Sequence, residues 1–219
     1  VHNETTYADA GRWTGRAFLL AALATVMLAL PAQGQVTAEQ PFSFNARGGI
    51  NVPTFDIADV ADPGPSFGAG FKYAVSDRVF LRANGDFGFH PGADLEVNGT
   101  TVELPDVNVF HYIAGAGYRF TPAESPFYVS VNLGAGAMTL DQDPVSEGAE
   151  GITETYFAIN AGGELGYRLN RNVSLFFSPQ GDIAFVDDEE LDPNDTVFGE
   201  DGIDTAWVWP FTAGVEITP

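Results

Sequence analysis

The sequence predicts an all-β protein, an eight-stranded antiparallel up-and-down β-barrel of the transmembrane kind. Three observations along the 219-residue chain predict it. Beyond residue 40, period-two alternation recurs in eight segments of roughly 10–14 residues and helical periodicity is absent, which is the pattern of strands. The links between segments alternate between short and long. One face of the alternation is apolar with aromatics near its ends, and the other is polar and rich in glycine.

Residues 1–34 come first and carry a different signal. Arg12 and Arg16 precede an apolar run over residues 17–30, followed by the small residues Ala32 and Gly34. A basic stretch, a short apolar core and a small-residue cleavage site describe a secretory signal peptide. The run is shorter than the ~20 residues that a membrane-spanning helix requires. Cleavage is expected after Gly34, with Ala38 as second choice, leaving residues 35–219 as the barrel domain.

The expected strands are 42–52, 66–75, 78–90, 109–120, 127–140, 156–169, 173–185 and 205–217. The first sets Ser43, Asn45, Arg47 and Gly49 on one face, and the second sets Phe67, Ala69, Phe71 and Tyr73 on the other. The third carries Arg82, Asn84, Asp86 and Gly88 on the polar face. In the fourth, Phe110, Tyr112, Ala114, Ala116, Tyr118 and Phe120 share the apolar face. Gly134 and Gly136 mark the polar face of the fifth, and Asn160, Gly162, Glu164, Gly166 and Arg168 that of the sixth. Pro179 and Pro210 fall inside the seventh and eighth, where a bulge or an interrupted ladder is expected. The short links are 76–77, 121–126 and 170–172; the long ones are 53–65, 91–108, 141–155 and 187–204. Short turns at one end and long loops at the other match a membrane barrel with an even strand count. Within the second long loop, Asn98-Gly99 favours a two-residue hairpin turn, extending strands three and four as a ribbon.

A soluble barrel would bury the apolar face; a membrane barrel turns it outward. Glycines at 68, 70, 115, 117, 134, 136, 162 and 166 favour the second, because a narrow barrel interior benefits from missing side chains and a wetted surface does not. Aromatics gather near both ends of the apolar face with alanines between, as in two interfacial girdles flanking an apolar band. Eleven residues tilted by ~40° rise roughly 28 Å, enough to cross that band.

With its glycine–aromatic strands such as FHYIAGAGYRF and FYVSVNLGAGA, the chain resembles the small outer-membrane barrels of the OmpX and OmpA-transmembrane-domain type over about residues 42–217. The resemblance implies the outer membrane of a Gram-negative-type bacterium, with long loops outside and both termini periplasmic. It also implies insertion by the barrel assembly machinery, contact with membrane lipid and lipopolysaccharide, and a monomer. A closing aromatic residue is usual in that family; here the last strand offers Thr212, Gly214 and Ile217 and is followed by Thr218 and Pro219.

The formal charge of −21 is sorted by position. The four long loops hold 21 acidic residues and no lysine or arginine, while the remaining acids of 35–219 balance its basic residues. With one lysine in the chain, Lys72, nothing would neutralise a phosphate backbone, so nucleic acid is not an expected partner. The loop acids suit a solvated, self-repelling surface, diffuse divalent-cation binding that bridges to lipopolysaccharide, or adhesion to a cationic ligand. The densest cluster is Asp187, Asp188, Glu189, Glu190 and Asp192. No specific calcium loop is expected, because the stretch beginning at Asp192 has Val197 where the sixth-position glycine is required.

On the inward parity, Arg47, Lys72, Arg82, Arg119 and Arg168 share the lumen with Asp86, Glu164, Asp182 and Glu216. Buried charges must be paired, so the expected arrangement is a salt-bridged plug; the alternative is a narrow conduit for ions or small solutes. Catalysis is not expected. His90 and His111 are the histidines of the barrel domain, His111 has Ile113 rather than serine two positions on, and inward Ser43, Ser130, Ser174 and Ser178 form no triad signature. A lipid A-modifying enzyme is therefore a remote alternative. Without cysteine there is no thiolate or Cys-based zinc site, and no helix follows the Gly-x-Gly runs to bind a nucleotide, so no cofactor is expected.

Overall fold

The computed structural model describes residues 41–219 apart from 60, 98–99, 123, 143, 145–150 and 186–204. The signal peptide expected at 1–34 and the cluster from Asp187 to Asp192 lie outside the described residues.

Eight strands close into one antiparallel barrel: β1 (Phe42–Thr54), β2 (Gly64–Ala74), β3 (Val79–His90), β6 (Val107–Arg119), β7 (Phe127–Gln142), β8 (Ile152–Arg168), β9 (Val173–Phe185) and β10 (Thr205–Ile217). Each pairs with its sequence neighbours, and β1 pairs with β10 to close the wall. Between β3 and β6, β4 (Asp94–Val97) and β5 (Thr100–Glu103) form a separate two-stranded ribbon. Its Val97↔Thr100 pair encloses two residues, the loop length expected for Asn98-Gly99.

Side-chain direction settles the orientation. Leu133 on the apolar face is 69% exposed, while Arg82 and Glu164 are each 5% exposed inside. Period two along the strands thus turns one apolar face, Leu133 among it, toward the membrane and sets the charges in the lumen.

The short turns are set by local side chains. Ser76 Oγ accepts from the backbone N–H groups of Arg78 and Val79, at 3.3 and 3.0 Å. Asn170 Oδ1 accepts from those of Asn172 and Val173, at 2.8 and 2.9 Å. Both reproduce a backbone turn with a side-chain acceptor. At the opposite end the strands run further than the apolar alternation does. The β7–β8 ladder continues to Gln142↔Ile152, tied by Thr139 Oγ1 to Thr155 Oγ1 at 2.8 Å and by Thr153 Oγ1 donating to Asp141 at 2.5 Å. β-Branched threonine sustains pairing where no membrane remains to select apolar residues.

The prolines interrupt the ladder without shifting it. β10–β9 pairing stops at Val208↔Asp182 and resumes in the same register at Phe211↔Pro179. β8–β9 pairing likewise skips from Gly162↔Gln180 to Leu165↔Phe177. Neither site is a bulge. Ser178 Oγ donates to the Gly163 carbonyl at 2.9 Å, supplying a bond where Pro179 has no N–H to give.

The first long loop is not a simple excursion. A 3-10 turn at Phe55–Asp59 folds over the barrel mouth and drives Ile57 inward to 3% exposure, with Ala61 buried behind it.

Candidate functional site

The lumen has two storeys. The one nearer the short turns is ionic. Arg47 on β1 donates through Nε to Asp86 Oδ1 at 2.6 Å and through Nη2 to Asp86 Oδ2, a bidentate pair. The pair crosses over β2 because Arg47 opposes Gly68 and Gly68 opposes Asp86, and a Cβ at Gly68 would collide with the Asp86 carboxylate. Lys72 reaches across the barrel to β8 and β10. Its Nζ donates to Glu164 at 2.6 and 2.8 Å and to Glu216, and stands 5.5 Å from the centroids of both the Phe80 and Phe176 rings.

Arg82 makes no ion pair within 4.0 Å among the described residues. Its Nη2 donates to Asn160 Oδ1 and, at 3.0 Å, to Gln180 Oε1. Asn160 passes the contact on by donating to Asp182, whose second oxygen lies 2.8 Å from His111 Nδ1. Arg119 and Arg168 both lie against the ring of buried Tyr128, at 5.1 and 5.7 Å from its centroid, and Arg168 also donates to the Ser125 carbonyl at 2.9 Å. Arg47 and Lys72 thus meet carboxylates, Arg82 meets amides, and Arg119 and Arg168 lie against the Tyr128 ring. Gln180, Tyr128, Phe80 and Phe176 join the network without having been singled out for it in the sequence.

A signal for those partners was present in the glycines. Tyr128 faces Gly166 across the β7–β8 ladder and Phe80 faces Gly117 across β3–β6; a Cβ at either glycine would strike the opposing ring. Each glycine is the counter-shape of a large inward neighbour.

The storey nearer the long loops holds an apolar cluster, with His111 of the Asp182 contact set between its Val109 and Ile113 on β6. Val107, Val109 and Ile113 from β6, Met138 and Leu140 from β7 and Val208 from β10 pack with alanines 158, 184 and 206, and Ile57 of the 3-10 turn and Ala61 beyond it join them. The β6 stretch is apolar at inward and outward positions alike (Val107, Val109, Phe110, Tyr112, Ile113), so the alternation does not announce an apolar cluster inside. On the opposite wall, Asn51, Ser66 and His90 Nε2 are buried without a hydrogen-bond partner among the described residues.

This arrangement can brace a membrane-embedded wall from within; among the described residues no group of three or more His, Cys, Asp or Glu is placed to hold a metal ion. Of the inward serines, Ser178 bonds a backbone carbonyl, and Ser130 stands in register beside Glu164.

Comparison with known proteins agrees with the architecture. Neisserial surface protein A is 14% identical, with a TM-score of 0.54 over 82% of this chain and 97% of that one. A major outer membrane protein of Thermus thermophilus is 17% identical, with a TM-score of 0.53 over 80% and 98%. The outer membrane protein OprG of Pseudomonas aeruginosa is 13% identical, with a TM-score of 0.50 over 84% and 100%. At these identities the likeness is one of fold. No curated protein sequence matches the chain. Residues 19–199 match the outer membrane protein beta-barrel domain, and the chain belongs to that family.

Proposed function

We propose that the protein is a non-enzymatic outer-membrane barrel whose working surface is its long-loop end, directed outside the cell, with both termini periplasmic. Residues 1–34 serve as its export signal, and the barrel acts as a monomer delivered by the barrel assembly machinery. The lumen is a brace. One observation supports this most strongly: paired charges cross the lumen from Arg47 to Asp86 and from Lys72 to Glu164 and Glu216, and aliphatic chains pack under Ile57. That leaves the acidic loops as the surface for shielding, for adhesion to a cationic ligand, or for cation-mediated contact with lipopolysaccharide.

Replacing the nine acidic residues of 187–204 by their amides tests the reading on intact cells. The expected result is reduced adhesion to a polylysine surface and loss of magnesium-dependent contact with lipopolysaccharide. Unchanged behaviour in both assays rejects a surface role for these loops.

A second reading, a narrow conduit, is supported by the Asn51, Ser66 and His90 atoms along β1–β3 that have no partner among the described residues, since buried polar atoms of this kind are met by water. Planar-bilayer recording separates the two readings: a brace gives no steady unitary current, and a conduit gives one.

A further inference from the structure

Phe55 is the described residue outside glycine with a positive φ, at 59°, a conformation that side chains of this kind rarely adopt. The residue is nevertheless 66% exposed. Two residues on, Ile57 is buried in the lumen cluster, so the 3-10 turn straddles the barrel rim with one apolar side chain on each side. Outside, Phe55 packs edge-on against Trp207 at 5.4 Å between centroids, and Trp207 stacks with Trp209 at 6.4 Å. Both indole N–H groups are satisfied locally, by Thr205 at 3.1 Å and Thr54 at 3.2 Å, so the ring faces can enter an apolar phase without an unpaired donor. Trp207 and Trp209 belong to the outward parity of β10, and Phe55 prolongs that lipid-facing surface above the last paired residue of β1.

We infer that Phe55 is a lipid anchor: its ring seats in the headgroup–acyl boundary of the leaflet at the long-loop end, and through the shared turn it holds Ile57 and Ala61 in the lumen mouth. The continuity with the membrane wall selects lipid as the occupant. The turn can transmit the hold because its far side is fixed to β3. The Ala61 N–H donates to the Ile57 carbonyl at 3.1 Å, the Asp62 N–H donates to the Pro91 carbonyl at 2.8 Å, and the Asp62 carbonyl lies 3.0 Å from His90 Nδ1. Closure of the apolar storey therefore depends on the bilayer as well as on the protein.

The test uses the full chain in phospholipid nanodiscs. Nuclear magnetic resonance of ring-labelled Phe55 should show broadening by a lipid carrying a nitroxide near the headgroup and none by a water-soluble gadolinium chelate. Broadening by the chelate, or by neither agent, overturns the inference. Hydrogen exchange supplies a second arm. Phe55→Gly relieves the backbone conformation and removes the ring, so if the anchor holds the turn, exchange at Ala61 and Asp62 accelerates about tenfold while β7 amides are unaffected. Phe55→Leu, which keeps an apolar chain, should stay near wild type. Slower or unchanged exchange in Phe55→Gly would show that the ring contributes strain and no hold.

Discussion

Lys72 is shared by two carboxylates, Glu164 and Glu216, both buried in the lumen. Its removal leaves two buried anions facing each other rather than one lost contact. Breaking a buried pair by deleting one partner costs about 3–5 kcal/mol, chiefly because the remaining charge is stranded. Lys72→Met is accordingly expected to lower barrel stability by that order in urea unfolding from lipid, and a Glu164→Gln/Glu216→Gln background should return most of the loss. If the triple variant is no better than Lys72→Met alone, the lysine acts through its contacts with Phe80 and Phe176. Arg82 differs in kind. It is held by two amides and reaches Asp182 through Asn160, so its neighbours are fixed by geometry more than by charge. Counting inward charges in the sequence finds the first arrangement and misses the second, because amides carry no sign to count.

At the scale of strands, the two prolines mark where β9 is least tied to its neighbours. Register is preserved across the Pro210 gap, with Val208↔Asp182 and Phe211↔Pro179 on either side. A residue with an N–H at position 210 would find its partner strand already aligned. Pro210→Val is expected to add one ladder bond and about 0.5–1.5 kcal/mol, seen as a raised urea midpoint and a newly protected amide at 210. No gain would mean that the strand is bent away by something other than the missing donor. The strands themselves were legible: 173–185 and 205–217 coincide with β9 and β10, because alternation there runs the full length of the pairing. Elsewhere the ends were not, since Thr153, Thr155 and Asp141 extend the β7–β8 ladder without apolar alternation. The 3-10 turn was missed for a related reason. Its apolar residues Phe55 and Ile57 face opposite sides of the rim in a segment with neither period, so they read as loop.

For the molecule as a whole, the question is whether the most acidic link also holds the barrel together. Phe185 and Thr205 are paired across β9 and β10, so the chain leaves and re-enters the wall at neighbouring positions. A four-residue turn can join such ends, as in an ordinary hairpin. Exchanging 186–204 for four residues shortens the loop by about two doublings, and each doubling is worth about 0.6 kcal/mol of closure entropy. The shortened barrel is therefore expected to be as stable as the parent or better by about 1 kcal/mol, while losing nine acidic residues and no basic one. Two measurements check this together. Unheated and boiled samples should still migrate differently on a gel, as a closed barrel resists detergent until heated, and the urea midpoint should not fall. A collapsed mobility difference would mean that this link braces the wall and that the acidic surface and the barrel are one structural unit. Retention of the difference would leave the lumen as the source of stability and free the loop for contact with whatever lies outside.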